Sequence, residues 1–289
     1  MSTATAHDPK ELVKVALAKL NAIATLPEVT SRIIATVEDP KSSAAQLHKI
    51  VSHDPALVTR ILKVVNSAFY GLPGQIASVE RAIVLLGLNA VKNIAVAASL
   101  GQMFRGVKLC DGFTARDLWT HCVAVAVISR ELAKQAKLPL ADEAFLAGMI
   151  HDIGILVSLQ TWPEQLRAAF DKAKGGMNFI DAEIETVGVD HQILGKALSE
   201  KWQFPLSCQL VAGHHHNPEA LSDGTRTLVT IVHIADTLCC QAKQGLPLTA
   251  QNQLIAPELP SAIGLDPAIV EKVRLNLATT IANAASFLS

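Results

Sequence analysis

Hydrophobic residues recur every three to four positions along almost the whole chain, with polar residues between them. No stretch alternates between apolar and polar residues for more than a few positions, as a half-buried strand would. Asp54-Pro55 and Asp266-Pro267 each combine an N-cap acid with a proline at the first helical position. We therefore predict an all-α protein of a dozen or more helices. The last helix should bury a stripe of apolar side chains, namely Ile269, Val273, Leu277 and Ile281.

Breaks in this pattern divide the chain into three parts. The clearest linker is the segment Arg105–Thr114, which contains two glycines. We predict a helical part over residues 1–105, a helical bundle over residues 115–241, and a C-terminal loop and helix over residues 242–289 that packs on the bundle. Seven of the ten histidines fall between His121 and His233. The bundle is therefore where we expect the chemistry.

The composition favours a folded helical protein and argues against a nucleic-acid binder. Half of the residues are hydrophobic, 18% are charged and 4% are aromatic, which excludes disorder and favours packed helices over sheets. The 25 Lys+Arg balance 26 Asp+Glu, for a formal net charge of −1. Binding to phosphate backbones depends largely on an excess of basic residues, which this chain does not have.

Three features predict a cytoplasmic protein that does not cross a membrane. The segment Met1–Lys10 is polar where a signal peptide would be apolar. The apolar stretch Ala82–Leu100 is interrupted by polar residues and by Gly87, so we interpret it as two buried helices. The cysteines are odd in number and form no CxxC pair, as expected of reduced thiols. They are Cys110, Cys122, Cys208, Cys239 and Cys240.

Histidine and aspartate stand inside two apolar helical patterns. His121 lies at the edge of the apolar face of a helix predicted over residues 115–137, and by itself a core histidine with an ordinary partner explains it. His151-Asp152 stands in the middle of the apolar run 145–154, and buried carboxylates are paired or coordinate metal. This pair is the stronger indication of a site. The similar pair His53-Asp54 precedes a proline, so we assign it a structural, helix-capping role.

A third group follows in the second half of the bundle. His191 stands near the start of a helix, the run His214–His216 at a helix end, and Asp236 in an apolar helix predicted over residues 227–240. Imidazole and carboxylate together are ligands for Mn, Fe, Zn or Mg. No cysteine falls in a ligand pattern, which argues against a structural zinc finger. Each residue could also be an independent core or cap residue, but their order along the chain favours a single site.

This order resembles a known superfamily. His121, His151-Asp152 and Asp236 follow one another like the ligands of the HD metal-dependent phosphohydrolases, and His191 and His215-His216 stand where the HD-GYP branch binds further metals. Runs in the first hundred residues resemble HDOD domains, which are HD-related output domains of bacterial signalling proteins. The likeness covers about residues 20 to 240. The runs are Leu26-Pro27-Glu28-Val29, Ser52–Gly71 and Ser78–Gly87.

The resemblance implies an HD-type helical bundle with a metal site for one or two divalent ions, with Fe, Mn, Zn and Mg left open. Two departures from HD-GYP enzymes matter. Ile155 replaces a lysine, and Asn217-Pro218 stands where those enzymes continue with Glu and the GYP signature, so we expect weak or absent hydrolysis of cyclic dinucleotides. No catalytic residue is assigned. The expected metal ligands are His121, His151, Asp152, His191, His215, His216 and Asp236.

For function, the resemblance implies a bacterial signal-transduction output module that retains an HD-type metal site. One alternative is an active metal-dependent phosphohydrolase acting on a phosphate ester or nucleotide. Another is a scaffolding helical protein without chemistry. The sequence carries no receiver, kinase or cyclase pattern, so we expect signalling proteins bound in trans, with neither nucleic acid nor membrane as a partner. A homo-oligomer is a further possible assembly.

Overall fold

The structure, a computed structural model, describes residues 8–23, 28–37, 39, 41–104 and 108–288. Residues 1–7, Leu26 and Pro27 of the first HDOD-like run, and residues 105–107 of the expected linker lie outside these ranges. The all-α prediction is confirmed. The elements are α1 (Pro9–Ile23), α2 (Glu28–Val37), α3 (Ala44–Val51), α4 (Pro55–Val65), α5 (Val79–Leu86), α6 (Leu88–Leu100), β1 (Lys108–Cys110), β2 (Phe113–Thr114), α7 (Ala115–Gln135), α8 (Ala141–Ile150), α9 (Ile153–Thr161), α10 (Pro163–Lys174), α11 (Phe179–Thr186), α12 (His191–Lys201), α13 (Leu206–His214), α14 (Asp223–Gln241), α15 (Leu259–Ala262) and α16 (Pro267–Asn283).

Short polar side chains start the helices of the first part. Asp54 caps α4 by accepting a hydrogen bond from the Leu57 backbone N–H at 2.9 Å, which is the structural role expected of it. Ser78 caps α5 through the Arg81 backbone N–H at 3.2 Å. An N-cap of this kind contributes about 1 kcal/mol. Gly87, at φ +88°, ends α5 and starts α6, so the apolar stretch over residues 82–100 forms two helices, as predicted.

The helix α7 lies at the centre of the second part. It packs against α8, α14 and α16, while α12 packs between α9 and α13. Fourteen of the 21 residues of α7 are buried, so this helix is enclosed by its neighbours rather than exposed on one face. Immediately before α7, where a linker was expected, β1 and β2 form a small antiparallel hairpin.

Two glycines allow the helices of this part to approach closely. A Cβ at Gly154 would lie 1.9 Å from the backbone oxygen of His191, at the crossing of α9 and α12. A Cβ at Gly148 would lie 2.8 Å from the Ala126 Cα, at the crossing of α8 and α7. Neither distance leaves room for a side chain.

The C-terminal helix α16 packs on α7. Its buried residues are Val270, Val273, Leu277 and Ile281. Ile269, the first residue of the predicted stripe, is partly buried and packs against the core, and Val270 beside it is buried as well. The indole N–H of Trp119 donates to the Phe287 carbonyl at 3.1 Å, which ties the end of the chain to α7.

Among the described residues, one stretch has the length and composition of a membrane span, and it is not the apolar stretch Ala82–Leu100. It is Ala141–Thr161, which comprises α8 and α9, and 94% of its most apolar window is buried inside the protein. All five cysteines are buried and free of disulfides.

Candidate metal centre

Histidine and aspartate side chains from five segments meet at one buried point in the second part. His121 comes from α7, Asp236 from α14, and His191 from the first residue of α12. The remaining residues come from helix junctions. All have no solvent exposure, except His216, whose side chain is 5% exposed. The seven residues are His121, His151, Asp152, His191, His215, His216 and Asp236.

The local sequence sets these positions through helix ends. His151-Asp152 was expected in the middle of a helix, and this expectation was wrong. His151 ends α8, and Asp152, at φ −95° and ψ 15°, precedes α9. The break brings both side chains to the same point, whereas on a continuous helix they would project about 100° apart. His191 opens α12 after its N-cap Asp190, and His215 directly follows α13, as predicted.

The first half-site comprises His121, His151, Asp152 and Asp236. The His121 Nε2 lies 3.1 Å from Asp236 Oδ1 and 3.6 Å from Asp152 Oδ2. The His151 Nε2 lies 3.3 Å from Asp152 Oδ2 and 3.9 Å from Asp236 Oδ1. Two imidazole nitrogens and two carboxylate oxygens thus surround one position.

The second half-site comprises Asp152, His191, His215 and His216. The other oxygen of Asp152, Oδ1, lies 3.4 Å from both His191 Nε2 and His215 Nε2. The His191 Nε2 is also 3.1 Å from His216 Nε2 and 3.3 Å from His215 Nε2. Asp152 therefore belongs to both half-sites and faces each with a different oxygen.

The outer nitrogen of every histidine in the centre lies against an oxygen. These oxygens are backbone carbonyls, a carboxylate or a side-chain amide oxygen, all of which only accept, so Nδ1 must carry the hydrogen. In the neutral ring, Nε2 is then an unprotonated acceptor that points into the centre. The Nδ1 contacts are His121 to Gln244 O (3.3 Å), His151 to Gly148 O (2.8 Å), His191 to Glu183 Oε2 (2.5 Å), His215 to Val211 O (3.0 Å) and His216 to Gln253 Oε1 (2.7 Å).

The inner polar atoms are therefore left without donors. The Nε2 atoms of His121 and His151, both oxygens of Asp152 and the Oδ2 of Asp236 have no hydrogen-bond partner. In the second half-site, the Nε2 lone pair of His191 faces those of His216 and His215 at 3.1 and 3.3 Å, and the lone pairs of neutral rings repel each other at these distances. Burying a carboxylate without a partner costs free energy. Imidazole nitrogens and carboxylate oxygens are ligands for divalent cations. The residues present fit a metal.

Comparison with known proteins places this arrangement in a family. The HDOD domain family matches residues 23–218 of the chain, which is more than half of it and includes the described ligands from His121 to His216. The chain belongs to the HDOD family. The resemblance seen in the sequence is confirmed.

Solved structures agree with this fold. An HDOD domain protein from Geobacter sulfurreducens superposes with a TM-score of 0.82 at 20% identity, covering 97% of this chain and 99% of that one. A candidate phosphohydrolase from Shewanella amazonensis SB2B gives 0.75 at 22% identity, with coverages of 94% and 98%. A candidate signal transduction protein from Marinobacter aquaeolei VT8 gives 0.77 at 21% identity, with coverages of 99% and 66%.

A curated protein of Treponema pallidum, described as uncharacterized, is 23% identical over 232 residues, which are 78% of this chain. This HDOD chain spans 44% of the length of that relative.

Glu183 supports the second half-site, and sequence reasoning missed it. Its Oε2 accepts hydrogen bonds from the Nδ1 and the backbone N–H of His191 at 2.5 and 3.1 Å. The side chain is fully buried. It stands eight residues before His191 in a helix that is otherwise apolar on that side, and an acid in such a position is the signal that could have identified it.

Replacing Glu183 with alanine should weaken metal binding at the second half-site about 10- to 100-fold, because such outer carboxylates fix the ligand's tautomer and orientation. Glu183→Gln should recover part of that affinity, since its amide oxygen can still accept from His191 Nδ1. Titration against a competing chelator measures both. The matched control is Glu185→Ala on the same helix, whose side chain is 55% exposed and should leave affinity unchanged. Equal affinities for all variants would contradict the role.

The electrostatics of the centre are those of a cation site. Burial alone would lower the pKa of His191, but the neighbouring Glu183 carboxylate raises it to about 9. The pKa of His151 is also raised, since Asp152 outweighs burial. Burial would raise the pKa of Asp152 and Asp236, but the surrounding histidines hold both below their usual range. The carboxylates stay ionised and attract protons to the centre, and a divalent cation would compete for the same nitrogens.

Cys240 is a second neighbour of the centre that the sequence did not single out. It lies four residues after Asp236, so the two share a face of α14. Its Sγ donates a hydrogen bond to Asp236 Oδ1 at 3.4 Å. Burial, together with the Asp236 charge, raises the thiol pKa well above its ordinary value, so without a metal the group is a neutral donor. The i, i+4 spacing to an apolar-face acid was the available signal.

Proposed function

We propose that this HDOD chain is a signal-transduction output module that holds two divalent metal ions, one in each half-site, bridged by Asp152. The observation that carries the proposal is the set of Nε2 atoms and carboxylate oxygens that point inward without donors. The second half-site would hold its ion through Asp152, His191, His215 and His216. The identity of the ions stays open among the metals that bind such ligands.

The burial of the metal centre favours a signalling module over an enzyme. Six of the seven side chains have no exposure, so a substrate has no direct path to them. Their backbones belong to α7, the α8–α9 junction, α12, the end of α13 and α14. Ions held here would tie these segments together and make their arrangement depend on metal, which suits a regulatory part. Signalling proteins bound in trans are the partners that we propose.

A metal-dependent phosphohydrolase is the second candidate, and one observation favours it. A surface pocket of about 190 Å³ is lined by His216, Gln253 and Thr249 among others, so it reaches the edge of the second half-site. A bound divalent ion would supply an activated water and neutralise phosphate charge there. The pocket lining includes no lysine or arginine among the residues that the structure describes.

Two positions where a basic residue could bind a phosphate do not supply one to the centre. Ile155, which replaces the lysine of HD-GYP enzymes, is completely buried in α9. The Lys201 ammonium donates to the Leu17 carbonyl at 2.9 Å, on the side where α12 meets α1. The proposed module is therefore preferred to the hydrolase.

We expect metal-loaded protein to hydrolyse neither cyclic di-GMP nor simple phosphate mono- and diesters above the level of an Asp152→Ala variant. Phosphate release and nucleotide chromatography, with Mn²⁺, Fe²⁺ and Zn²⁺ tested in turn, measure this. The variant is the control because it removes the bridging ligand. Turnover that depends on Asp152 would overturn the module and establish the hydrolase.

A further inference from the structure

The thiol of Cys240 lies at the first half-site. Its Sγ is 3.4 Å from Asp236 Oδ1, the same oxygen that lies 3.1 Å from His121 Nε2. The ligand atoms of these three residues all lie within 4.8 Å of one another, and all three residues are buried. A sulfur therefore borders the position that the imidazoles and carboxylates surround.

Two of these separations match those between adjacent ligands set at tetrahedral angles around one ion that His121, Asp236 and Cys240 would share. With bonds of about 2.3 Å to sulfur, 2.0 Å to oxygen and 2.0–2.1 Å to nitrogen, neighbouring ligands are about 3.5 Å apart for S and O and about 3.3 Å for N and O. The observed distances are 3.4 Å between Cys240 and Asp236 and 3.1 Å between His121 and Asp236. Cys240 needs no movement of α14 to reach an ion at this point.

The surroundings of the sulfur suit a thiolate ligand. The Thr249 hydroxyl lies 3.6 Å from Cys240 Sγ. Thr249 is 3% exposed, so this hydroxyl faces the sulfur away from bulk water. Donors around a metal-bound ligand fix its orientation and stabilise its charge.

Other cysteines near the centre do not share this position. Within the described ranges, Cys240 is the one cysteine whose sulfur belongs to a cluster of three or more metal-binding groups. Cys239, the preceding residue, is equally buried but projects about 100° away around the helix. It therefore provides a matched control.

We propose that Cys240 is a thiolate ligand of the ion in the first half-site and makes that half-site select Zn²⁺ or Fe²⁺ over Mg²⁺ and Mn²⁺. Thiolates favour the former ions, while carboxylate and water suit the latter. When the ion binds, the S–H bond breaks, its proton leaves to solvent, and the sulfur–metal bond forms. The inference rests on the proposed function, in which this half-site holds a metal.

Titration of metal-free protein with Co²⁺, followed by absorption spectroscopy, tests the proposal. Wild type should bind two Co²⁺ and develop a sulfur-to-cobalt charge-transfer band in the near ultraviolet, beside the visible ligand-field bands. Cys240→Ser should lose the charge-transfer band and keep the ligand-field bands, and Cys239→Ser should keep both. Two bound Co²⁺ without the charge-transfer band in wild type would overturn the Cys240 ligand alone. No Co²⁺ uptake by wild type would instead overturn the proposed function.

Zinc X-ray absorption spectroscopy of the wild-type protein tests the Cys240 ligand without any variant. We expect one sulfur for every two zinc ions, at about 2.3 Å. A first shell of nitrogen and oxygen alone, with two zinc ions bound, would contradict the thiolate ligand. The measurement holds even if Cys240→Ser fails to fold.

Discussion

Replacing Asp152 with alanine should empty both half-sites, so that protein equilibrated with excess Zn²⁺ and desalted falls from two metal equivalents to none. The reason is that Asp152 serves both: Oδ1 lies 3.4 Å from His191 Nε2 and from His215 Nε2, and Oδ2 lies 3.3 Å from His151 Nε2. Loss of a directly bound bridging carboxylate should reduce affinity by more than the roughly 10- to 100-fold seen for outer partners.

The matched control for this result is Asp190→Ala. Asp190 is also largely buried, and it caps α12 by accepting from the Ile193 backbone N–H at 2.9 Å. Its loss should cost about 1 kcal/mol of stability while two metal equivalents remain. Elemental analysis gives the stoichiometry, and circular dichroism checks that both variants keep their helices. Two equivalents retained by folded Asp152→Ala would show that the carboxylate does not bridge ions.

Replacing Gly154 with alanine should strongly destabilise the protein although it adds only one methyl group. The new Cβ would lie 1.9 Å from the His191 backbone oxygen and 2.7 Å from the Gly195 backbone nitrogen. Both contacts are with backbone, so α9 and α12 would have to separate. We expect at least about 3 kcal/mol of destabilisation, at the upper end of overpacking costs, and loss of metal from the second half-site, because α12 carries His191.

Gly224→Ala is the control for added bulk. A Cβ at Gly224 would meet nothing within 4 Å, and the residue lies in the first turn of α14. Its stability should be unchanged or raised by up to about 1 kcal/mol, the difference in helix propensity. Urea unfolding of both variants measures the free energies. A Gly154→Ala variant as stable as wild type would contradict the close crossing of α9 and α12.

The sequence alone predicts those features that depend on residues close together in the chain. Helix starts such as that of α4 depend on the N-cap residue and the proline that follows it. The residues of the centre could be recognised because their order, from His121 to Asp236, survives in the sequence whatever the packing. The helix break at His151-Asp152 could not be predicted from the sequence, because the residues on both sides of the pair are apolar and none of them ends a helix.

Residues that support the centre were missed for a different reason. Glu183 and Gln253 contact His191 and His216 at distances fixed by how α11 and the loop after α14 pack. Gln253 stands in no periodic pattern, while Glu183 is an acid on an apolar helix side, a signal that does not by itself say which residue the acid contacts. The burial of Val270 beside the partly buried Ile269 in α16 is a smaller case, since both residues are apolar and only the packing decides which one is covered more.

Anomalous X-ray scattering from crystals of metal-loaded protein, recorded at the absorption edge of the bound metal, tests the central claim most directly. We expect two anomalous peaks, one on each side of the Asp152 carboxylate, about 3.5–4 Å apart as in two-metal sites. One peak should lie among His121, His151 and Asp236, and the other among the remaining histidines. A map without peaks at these positions, in which His121 hydrogen-bonds directly to the carboxylates, would contradict it.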